Sequence, residues 1–236
     1  TASASSLPLP KELADIQVLV NDQPAPLLFV SPDQINFIMP MNAPTSGTVE
    51  LQVVRKSLGQ VLAVACSALR VSVSPERYIC NGQVQMTVAS PALFAGANYS
   101  AGTGQIAAYN VRASDGTSYG INSATNPVAR SDYIVMFGTG QGFIANAPAD
   151  GAAPGGAFPT ASPKPQVIVN VSAVGDDNVA YSGLSPDYPG LWQLNVKIPD
   201  STPPSNTIQV VIVHRGIPSN DTTTPGRIVT TIAVKQ

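Results

Sequence analysis

The stretch Ser31-Pro32-Asp33-Gln34-Ile35-Asn36-Phe37-Ile38-Met39-Pro40 decides how this chain is read, because the sequence says it twice. It returns as Ser185-Pro186-Asp187, an insertion from Tyr188 to Trp192, and then Gln193-Leu194-Asn195-Val196-Lys197-Ile198-Pro199. The match extends outward on both sides. Val18-Leu19-Val20-Asn21 stands before the first copy and Val167-Ile168-Val169-Asn170 before the second. Val49, Leu51 and Val53 follow the first copy as Ile208, Val210 and Ile212 follow the second. A long-period repeat made of strand-like segments predicts two related β modules.

The pattern inside each copy is a period of two. Ile16, Val18 and Val20 share one parity, and Ile35, Phe37 and Met39 share another, with Gln34 and Asn36 opposite. Successive side chains of a strand point to opposite faces, so such segments are half-buried strands of antiparallel sheets. Tyr133 to Phe137, Val167 to Val171, Trp192 to Ile198, Ile208 to Val213 and Ile228 to Val234 read the same way. Asn21-Asp22, Asp115-Gly116 and His214-Arg215-Gly216 punctuate them with residues that tolerate the positive φ of tight turns. Helical periodicity is nearly absent, and Pro10 to Asp15 offers one short turn at most. The fold class expected is all-β, with two tandem immunoglobulin-like β-sandwich modules related by the internal repeat. The join falls near Ser90-Pro91, giving modules at 1–90 and 91–236. In the second module, where 91–125 supplies extra strands, a strand around Tyr133 leads into the repeated segments, and nothing like the Tyr133-to-Gly142 segment precedes the first copy. The first module is therefore expected to lack its leading strand and to expose a sheet edge able to pair with another chain.

Charge sets limits on partners. Only 11% of the 236 residues are charged, the net charge is −2, and the 12 Lys and Arg are scattered. Phosphate backbones are held by clustered cations, so nucleic acid is not an expected partner. No apolar run approaches the roughly 18 residues of a membrane-spanning helix, and membrane insertion is not expected either. Cys66 and Cys80 leave two readings open: a disulfide, contributing about 3 kcal/mol, or two buried thiols acting as small hydrophobes.

Several motifs together resemble a known family. Phe29-Val30-Ser31-Pro32-Asp33-Gln34-Ile35-Asn36-Phe37, Ser90-Pro91-Ala92-Leu93-Phe94-Ala95 and Gly104-Gln105-Ile106-Ala107-Ala108-Tyr109-Asn110 carry the resemblance in the first half. Phe137-Gly138-Thr139-Gly140-Gln141-Gly142, Tyr181-Ser182-Gly183-Leu184-Ser185-Pro186 and Gly190-Leu191-Trp192-Gln193-Leu194-Asn195-Val196 carry it in the second. In this order they are similar to the uncharacterised Solibacter C-terminal domain family, found at the C-termini of large secreted acidobacterial proteins. The segment around Cys66 and Cys80 departs from the family pattern. The resemblance implies an extracellular or cell-surface setting and an accessory region attached to a larger polypeptide. It supplies no catalytic residue and no ligand. An extracellular setting favours the Cys66–Cys80 disulfide.

His214, the sole histidine, is expected in a solvated turn, and no G-x-S-x-G elbow accompanies it. Gly138-Thr139-Gly140-Gln141-Gly142 lacks the lysine and the following helix of a phosphate loop and reads as a glycine-rich strand exit. Asp132, Asp150, Asp176, Asp177 and Asp187 sit at turns with no groove in view, so no catalytic residue, no cofactor and no enzyme activity are expected. Asp176-Asp177 is the one weak calcium candidate, set against an ordinary turn, and otherwise no metal is expected. Asp33 and Asp187 are expected to cap their turns with their side chains. Tyr181, Tyr188 and Trp192 gather near the insertion as a candidate ligand surface, although the parity of Trp192 matches core-facing Leu194, Val196 and Ile198. The functional expectation is a non-catalytic extracellular accessory, spacer or adhesion-type module. Its partners would be the rest of the parent polypeptide, with polysaccharide or a cell-surface protein beyond it. The alternative is a carbohydrate-binding module.

Overall fold

A computed structural model describes residues 1–64, 69–71, 77–79, 82–100, 103–160, 163–219 and 229–236. Cys66 and Cys80, and with them the disulfide question, lie outside the described residues. The fold is all-β, and the only helical pieces among the described residues are the 3-10 turns Lys56–Leu58 and Asp176–Asn178. The chain forms two compact units. One comprises Thr1–Val88 with Asn146–Gly155 and Pro186–Gly190, and the other comprises Ala89–Ala145, Gly156–Ser185 and Leu191–Gln236. Asn146–Gly155 and Pro186–Gly190 thus belong to the first unit, although the sequence reading places both within 91–236.

In the first unit the Ile16–Val20 strand pairs antiparallel with Thr48–Arg55, and Leu27–Val30 pairs with Ile35–Phe37. Val18, Val20, Leu27 and Val49 are buried together, with Ile35, Phe37 and Met39 packed against them. The alternation anticipated for both segments is the alternation observed. Ala2–Ser3 adds a short strand beside Leu27–Val30. Pro10 to Asp15 holds no helical turn. Leu13 and Ile16 exchange backbone hydrogen bonds across a two-residue reversal, with Ala14 at φ 51° and Asp15 at φ 63°. Asp15 then stabilises the Lys56–Leu58 turn by accepting from the Ser57 amide at 2.7 Å and its hydroxyl at 2.6 Å.

In the second unit, two larger sheets contribute to one core. The first runs in the order Ser118–Ile121, Ala108–Val111, Tyr133–Thr139, Trp192–Lys197, Val179–Leu184 and Phe158–Pro159. The second contains Thr103–Ile106, Val229–Lys235, Ser205–His214 and Gln166–Val169 as neighbours. Ile134, Met136, Leu194 and Val196 from the first meet Val167, Val210, Ile212 and Ile232 from the second in one apolar cluster. This arrangement is sandwich-like, and burial of these side chains supplies most of its stability.

Corresponding positions of the two repeated stretches make corresponding bonds. The Asn21 amide donates to Glu50 O and the Asn170 amide to Gln209 O, and both asparagines adopt positive φ. Ala25 N to Val18 O and Val174 N to Val167 O close equivalent hairpins, each at 2.8 Å. Ala43 N to Pro40 O and Thr202 N to Pro199 O, each at 3.0 Å, turn the chain after each copy. Gln34 Nε2 donates to Asn36 Oδ1 at 2.6 Å, and Gln193 Nε2 donates to Asn195 Oδ1 at 3.0 Å. One detail corrects the sequence reading. At the first Ser-Pro-Asp it is Ser31 Oγ, not the Asp33 carboxylate, that accepts from the amides of Asp33 and Gln34. The serine precedes the reversal and its short side chain reaches both amides, whereas the Asp33 side chain is exposed.

Candidate functional site

The residues singled out from sequence fall in different environments. Trp192 is 1% exposed, with its indole N–H donating to Ser182 Oγ at 3.0 Å, so its ring belongs to the core and is closed to a ligand. Tyr181 is half-buried, and its hydroxyl donates to Leu184 O at 2.6 Å while accepting from the Phe158 amide at 3.0 Å. That hydroxyl fastens the edge of its sheet. Tyr188 is 61% exposed and belongs to the first unit, whereas Tyr181 and Trp192 belong to the second.

Asp176 and Asp177 are exposed on their 3-10 turn. The Lys164 ammonium donates to the carbonyl oxygens of Val179 at 2.9 Å and of Asp176 at 3.4 Å. A cation is therefore already in place against the backbone oxygens that a calcium ion would share with these carboxylates. The carboxylates that do make bonds are structural. Asp132 accepts from the Ala113 amide and the Tyr119 hydroxyl, Asp150 from the Met41 amide, and Asp115 from the Thr117 amide. The Thr117 bonds hold the exposed Asp115 carboxyl below its usual pKa.

His214 corrects the sequence reading. It is the last residue of the Ser205–His214 strand and only 5% exposed, with its imidazole against the Trp192 indole. Its Nε2 lies 3.1 Å from Gln141 O, which fixes the neutral tautomer with the proton on Nε2, since a carbonyl only accepts. Among the described residues Nδ1 has no hydrogen-bond partner, and neither does the buried Gln141 Oε1. Burial lowers the His214 pKa, the Arg215 charge lowers it further, and the bond to Gln141 opposes both. The signal was present in the alternation: Ile208, Val210, Ile212 and His214 share the core-facing parity. The adjacent Arg215-Gly216 turn signal concealed it.

The Gly138–Gly142 segment is a strand exit. Gly140 has φ 77°, and a Cβ there would overlap the carbonyl of Ser90. The Ser90 amide donates to Gly140 O at 2.7 Å, and Ala92–Leu93 pairs with Gly138 and Thr139. Close backbone approach accounts for Gly138 and Gly140.

What sequence reasoning missed is the outer face of the first sheet of the second unit. Ile121, Tyr109, Val135, Asn195 and Tyr181 are register partners in one row across neighbouring strands. In the next row Phe137 pairs with Gln193, and the Phe94 amide donates to Phe137 O at the sheet's margin. Tyr109 and Phe137 meet edge to face with centroids 6.0 Å apart. Tyr109 is 44% exposed and its register partner Ile121 62%, and Phe94 is 46% exposed. A groove of about 300 Å³ adjoins them, lined by Val111, Arg112, Tyr133, Val135, Ala180 and Asn195 among others. Odd-numbered Tyr133, Val135 and Phe137 alternate with buried Ile134 and Met136, so the outward ring series was readable from sequence.

No family model matches the chain, and no curated protein or solved structure matches it. The likeness to the Solibacter C-terminal domain family rests on the quoted motifs alone.

Proposed function

We propose that this chain is a non-catalytic, extracellular accessory module, a spacer or adhesion element of a larger protein, built from two tandem immunoglobulin-like sandwiches related by the repeat. The observation that carries the reading is the employment of its ionisable side chains. Asp15, Asp115, Asp132, Asp150 and Asp200 accept hydrogen bonds from nearby backbone or hydroxyl donors, and His214 is buried against Trp192. Each of these five carboxylates holds a turn or loop in place. The low charge content, the strand-rich architecture and the motif resemblance support the same reading. Such modules position other domains and present sheet faces for weak, multivalent contact.

Fractionation of the source cells with an antibody raised against the chain tests it, together with a screen of the purified protein against ester, glycoside and phosphoester substrates. Recovery in the surface or medium fraction without turnover is the expected result. A cytoplasmic location, or turnover that tracks the protein through purification, would contradict the proposal.

A further inference from the structure

We propose that the outer face of the second unit's first sheet, centred on Tyr109 and Phe137, binds an extended, neutral polysaccharide. This goes beyond the accessory role, which does not require a ligand.

Geometry comes first. The row Ile121, Tyr109, Val135, Asn195 and Tyr181 crosses five adjacent strands. Neighbouring strands lie about 4.8 Å apart, so the row is roughly 19 Å long. One strand spacing is comparable with the advance of one hexose along an extended β-linked glycan, which places successive sugars over successive strands. The rings of Tyr109 and Phe137 are held by each other at 6.0 Å, edge to face, and the backbone of Phe94 is bonded beside Phe137. Rings already fixed by contact lose little conformational freedom when a sugar stacks on them.

Polarity comes second. Beside the rings, Gln193 Nε2 donates to Asn195 Oδ1 at 3.0 Å. That bond orients both amides and leaves Gln193 Oε1 as an acceptor and Asn195 Nδ2 as a donor for ligand hydroxyls. A sugar with apolar C–H faces and hydroxyl edges is matched by this mixture of rings and amides.

Charge decides the class. Phe94, Tyr109, Ile121, Val135, Phe137, Gln193 and Asn195 carry no ionised group. Two charges at the margin are engaged locally: Arg112 lies over the Tyr119 ring at 5.7 Å, and Asp132 bonds Ala113 and Tyr119. Lys197 pairs in register with Tyr133 at the end of the face. An uncharged face favours a neutral glycan, because an acidic one would bury its carboxylates without partners.

The experiment is affinity electrophoresis of the full chain in gels containing hydroxyethylcellulose, glucomannan or xyloglucan, with polygalacturonate as the acidic comparison. The expected result is retardation by at least one neutral polysaccharide, insensitive to salt. Tyr109→Ala and Phe137→Ala should each weaken it about tenfold, the loss of one stacking contact. Tyr109→Phe, which keeps the ring and the fold, should retain it, and so should Tyr188→Ala. Absence of retardation in every neutral gel would overturn the inference, as would full retention by Tyr109→Ala. Retardation by polygalacturonate alone, abolished by salt, would overturn it as well. None of these results bears on where the protein resides in the cell, so the accessory reading is judged separately.

Discussion

The imidazole of His214 packs against the indole of Trp192 with ring centroids 5.2 Å apart and planes inclined at 57°. The pair joins the two sheets of the second unit, since Trp192 begins one strand of the first and His214 ends one strand of the second. Both rings are buried, and each is oriented by one hydrogen bond, to Ser182 Oγ and to Gln141 O respectively.

This contact predicts acid sensitivity. Folding lowers the His214 pKa from its ordinary value near 6.5, chiefly through burial. As pH falls, the unfolded chain takes up the proton first, so the contribution is complete above pH 6.5 and is lost progressively below it. Urea midpoints should fall between pH 7 and pH 5 in the wild type and stay level in His214→Gln. Equal slopes in both proteins would contradict the assignment. Asp15 and Asp115, whose pKa values are lowered by their turn bonds, act only at more acidic pH and do not confuse this window.

A second prediction concerns the amide network behind the Ser118–Ile121 strand. Asn122 donates to Asn110 Oδ1 and Ala233 O, and its Oδ1 accepts from the Ala233 amide at 2.8 Å. Asn122→Ala would remove these bonds and leave buried backbone groups unpaired, costing about 3 kcal/mol. Chemical denaturation followed by the single tryptophan checks it, and a loss below about 1 kcal/mol would show the network to be slack.

The glycines of the second unit should divide sharply. At Gly140 a Cβ would strike the Ser90 carbonyl, whereas at Gly216, with φ 79°, the space is open. Gly216→Ala should cost about 1–2 kcal/mol from backbone strain alone. Gly140→Ala should cost clearly more, about 3 kcal/mol or above, because the Ser90–Leu93 backbone must move. Thermal melts of the two variants side by side make the comparison.

Calcium should leave the melting temperature unchanged, since the Lys164 ammonium lies on the carbonyl oxygens of Asp176 and Val179. Lys164→Ala should lower the melting temperature slightly, with calcium again without effect. A rise on adding millimolar calcium to the wild type would restore the Asp176-Asp177 site.

Much of the fold was legible because a period of two leaves little freedom. Ile16, Val18 and Val20, and Leu194, Val196 and Ile198, are buried on the faces that their parity required. The site was less legible. Sequence proximity grouped Tyr181, Tyr188 and Trp192, but parity put Trp192 in the core and the Pro186–Gly190 excursion put Tyr188 in the first unit. Tyr109 and Phe137 lie far apart in sequence, and strand pairing brings their rings together. Alternation shows which way a ring points, but not which strands are neighbours. His214 was obscured for a different reason: a turn motif directly after a strand drew it toward solvent, while its parity belonged to the core.

The most direct measurement is a map of backbone amide chemical shifts during titration with a soluble neutral β-glucan. Perturbations are expected at Phe94, Tyr109, Val135, Phe137, Gln193 and Asn195, with Tyr188 and Trp192 unmoved. Shifts centred on Tyr188, or none at saturating glucan, would contradict it.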